Sequence, residues 1–219
     1  MALTPERVRA YREDYRNEVI GPGYRGWLHL ATITGICGAA IAMALIRAHA
    51  IGWRDLLIVP IAWVFANLVE YAAHRGPMHH LNLGFGRLYR RHTSQHHRFF
   101  SYELMAVDGP RDFHVTLFPA WMSLFFVGLI GVPMALVVYW LFGHDIALLF
   151  YAAIVLYYLV YEWVHLGAHM PETSVLGRLP LIRFARSHHG LHHDPAKMRR
   201  ANFNFAIPLG DWLFGTWER

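Results

Sequence analysis

Histidine is the residue most able to do chemistry in this chain. It occurs 16 times in 219 residues, alongside a lone lysine, Lys197. The histidines gather in four clusters: His74-Arg75-Gly76-Pro77-Met78-His79, His92-Thr93-Ser94-Gln95-His96-His97, His165-Leu166-Gly167-Ala168-His169 and His188-His189-Gly190-Leu191-His192-His193. Neutral imidazole is a metal ligand, and residues four apart on a helix share a face. His92 with His96, and His165 with His169, are therefore expected each to chelate one ion. His189, His192 and His193, at offsets of three and four, are expected to point to one side. His97 is turned away from His92 and His96, which suits a second, neighbouring ion. His74 and His79 are five apart, wrong for one α-helical face, but Gly76-Pro77 breaks the helix and can swing His79 back. His188 competes with His189, since its offset of four to His192 also works. Ten neutral donors exceed the four to six ligands of one metal and suit two. Iron, zinc, copper and nickel all accept imidazole, so ligand type leaves the metal open.

An all-imidazole shell leaves the ions' charge uncompensated. Glu70, one turn before His74, and Glu162, three residues before His165, are read as carboxylates that orient ligand histidines through their other ring N–H. Glu162-x-x-His165 matches one half of a soluble di-iron bundle motif, but a second copy is missing. Neither HxxxH carries the Glu of HExxH, which disfavours a zinc protease. Cys37 stands alone, excluding an intramolecular disulfide and a cysteine-ligated cluster. His29, His49, His114 and His144 read as core or interfacial residues, and His80 as an ambiguous neighbour of His79.

The elements that must position these clusters are apolar. Charged residues make up 16% of the chain and hydrophobic ones 55%, against roughly 25% charged in soluble proteins. Leu28 to Ile46, Leu56 to Ala73 and Ile146 to Val164 are each long enough to span a bilayer. Val115 to Gly143 is 29 uncharged residues, and Pro119 with Gly131-Val132-Pro133 predicts a kinked helix or a tight hairpin there. The fold class expected is an all-α integral membrane bundle of four transmembrane helices, with a cytosolic helical cap carrying the histidines, in a single domain over 1–219. Residues 1–26 read as an amphipathic arm opened by Thr4-Pro5-Glu6 and closed by Gly21. It is expected to lie on the membrane surface or to pack on its own protein, and no cleaved leader is expected. Five Arg in the arm, six between Arg75 and Asp112 and seven Lys or Arg after Met170 place both termini and the central loop in the cytoplasm. The net charge of +5 is then a matter of topology and headgroups, with no nucleic acid needed. The bias of Arg over Lys points to a bacterial inner membrane rather than the endoplasmic reticulum.

A metal pair facing a bilayer meets alkyl chains, and breaking an unactivated C–H bond calls for a metal that activates O2. Zinc cannot do this, and iron can. The set HxxxxH, HxxxHH, HxxxH and HxxHH, with two spans before the first cluster and two between the second and third, resembles the fatty acid hydroxylase and sterol desaturase superfamily. The closing NFNFAIPLGDWLFGTW is similar to that superfamily's tail. The resemblance covers roughly residues 55–217. It implies two iron ions (zinc can replace them in purified protein), O2 as co-substrate, a fatty acyl chain or related lipid as substrate, and a separate electron-donor protein. It implies as ligands His74, His79, His92, His96, His97, His165, His169, His189, His192 and His193. The second cluster departs from the HxxHH of many members. Asn202, Asn204, Asp211 and Trp212 are expected to fold the tail against the site. Hydroxylation is the leading expectation and desaturation at the same site the alternative. A membrane metal transporter is the rival from another class, and it needs ligands at several depths.

Overall fold

The computed structural model describes residues 4–81 and 85–219. The first three residues of the 1–26 arm, and residues 82–84, lie outside them. Among the described residues the architecture is all-helical. Helix α1 (Pro5–Glu18) begins with Pro at its first position and Glu6 in its first turn, where the missing N–H costs nothing and the acid complements the helix dipole. Of the two placements open to the arm, the structure shows packing on the protein itself. Val8, Arg12 and Tyr15 are buried, and the Tyr15 ring meets Phe99 edge-on at 5.6 Å.

Among the described residues four helices are long and apolar enough to cross a membrane, and the protein is a membrane protein. Helix α2 (Gly26–Arg47) is the first. Helix α3 (Ile58–Ala73) is the second and runs directly into a π turn, His74–Met78. After it come the short α4 (Gly86–Tyr89), a second π turn Arg90–His96, α5 (His97–Phe99) and α6 (Phe113–Thr116).

The 29-residue uncharged run forms no hairpin. Val115 and Thr116 belong to α6, and a break around Pro119 precedes one span, Ala120–Phe142. That span consists of α7 (Ala120–Leu124), a π turn Phe125–Gly131 and α8 (Val132–Phe142). Pro133 lacks the N–H that an unbroken α-helix needs there. The π turn absorbs the misfit, and Tyr151 donates its hydroxyl to the Val127 carbonyl at 3.1 Å.

Helix α9 (His144–Ala168) is the inner span. Half of its most apolar window is buried, against 6% for Ala120–Phe142. Large apolar side chains such as Ile46, Ile61, Leu136 and Trp140 are exposed, as lipid-facing residues should be. Helices α10 (Pro180–His192) and α11 (Leu209–Leu213) complete the chain.

The described residues form two compact units interleaved along the sequence. One comprises the chain up to Trp27, Asn67–Leu117 and Trp163–Arg219, and the other Leu28–Ala66 and Phe118–Glu162. Every histidine of the four clusters falls in the first.

Candidate metal centre

The clusters converge in the interior, in two buried groups. Donor nitrogens of His74, His79, His92, His97 and His192 lie within 4.8 Å of one another, and those of His96, His165, His169 and His189 do likewise. His193 reaches the second group, its Nε2 2.9 Å from that of His189 and 3.1 Å from that of His96. His188 stays outside both and pairs with Asp211 at 3.2 Å, so His189 is the residue of that doublet that joins the groups.

This division corrects part of the reading from spacing. His165 and His169 share a group as expected, but His92 and His96 do not. The backbone of Arg90–His96 is a π turn, whose i→i+5 bonding stacks residues five apart. His92 therefore pairs with His97, their Nε2 atoms 3.1 Å apart, and His96 turns to the other group. The π turn His74–Met78 likewise brings His74 and His79 to one side, with ring centroids 5.1 Å apart. His189, His192 and His193 all turn to the two groups, but His192 joins the first.

Backbone carbonyls orient five of these ten rings. The Nδ1–H of His74 donates to Phe203 O, that of His96 to Val115 O at 3.2 Å, and that of His169 to Met105 O at 2.8 Å. His192 donates to Ala201 O at 2.8 Å and His193 to Phe100 O at 2.9 Å. His79 uses a side chain instead. The Thr93 hydroxyl spends its proton on Met78 O at 2.6 Å, so its oxygen accepts the His79 Nδ1–H at 3.2 Å.

Glu70 and Glu162 are the carboxylates expected to orient ligand rings. Glu70 accepts the Phe205 N–H at 2.7 Å, and the Phe205 ring stacks on His74 at 5.0 Å, so the acid steadies that ring through the tail. Glu162 accepts the Tyr158 hydroxyl at 2.8 Å and the Phe118 N–H at 3.3 Å.

The tail is built as expected around Asp211. This fully buried carboxylate accepts the N–H groups of Phe203 and Asn204 and the Thr216 hydroxyl. Burial opposes its charge, but His188 and these donors together hold its pKa below the usual range. Asn204 donates to Asn67 O at 3.0 Å. Asn202 takes a positive φ of 58°, which Asn tolerates better than most residues, and its side chain ties His188 O to Glu218. Trp212 does not join them: it is 69% exposed. His29 and His114 are structural, touching Phe118 O and the Tyr15 hydroxyl.

These contacts test whether the residues fit metal ions. With Nδ1–H committed to an acceptor, the Nε2 of a neutral ring carries only a lone pair. His79 and His192 are both in that state, yet their Nε2 atoms lie 3.0 Å apart. His96 and His193 repeat the arrangement at 3.1 Å. No proton is available to join either pair. Burial first, and the neighbouring imidazoles second, push His79, His92, His97 and His192 well below the ordinary histidine pKa. The same holds for His96, His169, His189 and His193. Two sets of facing, unprotonated lone pairs are what a pair of cations would satisfy, so the donor set fits.

Sequence reasoning missed Thr93 and Arg12, the latter buried at 3% exposure. Thr93 stood in plain view between two ligand candidates, whereas the acceptors of Arg12 are distant backbone carbonyls that leave no mark in sequence. A family model described as fatty acid hydroxylase matches residues 59–216, a stretch that includes all four clusters. No individual curated protein and no solved structure matches the chain significantly.

Proposed function

This chain belongs to the fatty acid hydroxylase family, and from that membership and the ten convergent imidazoles we propose that it is an O2-dependent di-iron lipid hydroxylase. It inserts oxygen into a C–H bond of a fatty acyl chain or related lipid. The observation that carries the reading is the pair of facing lone-pair sets, His79 with His192 and His96 with His193. Iron held there would supply O2 activation and the oxidising power that an unactivated C–H bond requires.

The residues' own work is holding and shielding. Carbonyls of Phe100, Met105, Val115, Ala201 and Phe203 lock the Nδ1 side of five rings, which presents Nε2 inward with little reorganisation. The rings of Phe100, Phe203 and Phe205 are essentially inaccessible to solvent and pack on the imidazoles, excluding water that would quench an oxidising site. The spans hold the chain among its lipid substrates. The reaction balances as R–H, O2, two electrons and two protons giving R–OH and water. A separate electron-donor protein supplies the electrons. Both termini and the histidine clusters lie on the cytoplasmic side, in a bacterial inner membrane.

Lipid analysis under 18O2 tests this. Purified protein, iron-loaded and supplied with a chemical reductant and bacterial lipid extract, should yield lipids carrying one labelled hydroxyl. Unlabelled unsaturated products would move the assignment to desaturation. Lipids unchanged by an iron-replete protein would overturn the oxygenase reading.

A further inference from the structure

Burying a guanidinium is costly unless its donors are taken up, and α1 buries Arg12 with every edge in use. Its Nε donates to Phe99 O at 2.8 Å, its Nη2 to Leu104 O at 2.6 Å, and its Nη1 to Ala106 O at 3.0 Å and the Asp108 carboxylate at 3.2 Å. The rings of Phe99 and Phe100 lie 5.0 and 5.3 Å from its guanidinium carbon.

Two of the carbonyls that Arg12 leaves free in this segment are used by the histidines. Phe100 O accepts from His193, and Met105 O from His169. The acceptors alternate along the chain: Leu104, Met105 and Ala106 face Arg12, His169 and Arg12 in turn, and Phe99 and Phe100 face Arg12 and His193. The segment is closed onto the site by the Val107 N–H on His169 O at 2.8 Å and by the Phe100 ring stacked on His169 at 4.0 Å.

We infer that Arg12 is a positioning residue for the second histidine group. By fixing one side of residues 99–106 it fixes the acceptors that aim His169 and His193. Its helix precedes the region matched by the family model, so the aiming device comes from the chain's own N-terminal arm. The inference rests on the reading of both groups as metal sites.

Cobalt(II) titration of detergent-solubilised full-length apoprotein tests it, because the ligand-field bands report each site without turnover. Two backgrounds separate the groups: His79→Ala/His192→Ala disables the first, and His165→Ala/His189→Ala the second. Arg12→Lys keeps the charge but loses the planar fork that bridges three carbonyls. It should weaken cobalt about tenfold or more in the first background, as loss of a ligand-orienting group does, and leave affinity unchanged in the second. Arg12→Ala should behave alike, with added guanidinium ion restoring the bands. Wild-type affinity of Arg12→Lys in the first background would overturn the inference. So would equal loss in both backgrounds, or failure of both Arg12 variants to fold, since either makes Arg12 a general folding residue. If neither background binds cobalt with Arg12 intact, the metal reading itself fails and the inference falls with it.

Discussion

An imidazole is aimed at a metal most firmly when its other nitrogen is held, and backbone carbonyls do this for five of these ten rings. Thr93 does it for His79 and is open to mutation. Thr93→Val keeps the shape but leaves the His79 Nδ1–H without its acceptor, and the first group should bind iron about tenfold more weakly. Isothermal titration of the apoprotein with Fe2+ under anaerobic conditions measures this, and an unchanged affinity would remove Thr93 from the site. Asp211 offers a stability counterpart. Asp211→Ala would strip the buried partner from His188 and the acceptor from Phe203 and Asn204, each buried donor left unpaired costing about 1–3 kcal/mol. Thermal unfolding in detergent should show a lower midpoint, with tail residues 201–206 becoming protease-sensitive before the spans.

The π turns explain how much of the element scale was legible in the sequence. The four apolar spans and the convergence of ten histidines were readable, because hydrophobic runs and repeated chelating residues are local signals. The sorting of His92 from His96 was not, because a spacing is interpreted on the 3.6-residue period, whereas Arg90–His96 follows the wider π repeat. The 29-residue run Val115–Gly143 was ambiguous for a similar reason, and its π turn keeps a single span where Pro and Gly could also have made a hairpin. The packing of α1 is not legible in the sequence, because Arg12 looks like part of a solvated face until its carbonyl acceptors are known. On a π turn, HxxxHH sorts its histidines as HxxHH does on an α-helix, with one residue absorbed by the wider turn. Deletion of Ser94 should therefore let the turn revert to α and retain about two ions per chain. Deletion of Gly167, inside α9, should rotate His169 by about 100° and cost the second group its ion. Metal analysis of the two variants checks the pair, and equal loss in both would contradict the account of the π turn.

For the whole molecule, the first testable expectation is orientation. Cys37 is fully buried, so an impermeant maleimide should report only introduced thiols. Arg54→Cys should label in intact cells and Arg199→Cys only after lysis, and the reverse pattern would invert the proposed topology. The central claim is that two histidine groups, fed by π turns and the folded tail, each hold one iron. The most direct measurement is the iron content of gently purified, Fe2+-supplemented protein beside the paired variants. About two ions per chain are expected in the wild type, and about one in each of His79→Ala/His192→Ala and His165→Ala/His189→Ala. Combining all four substitutions should leave none. A wild-type ratio near zero, or a ratio that the substitutions do not change, would contradict it.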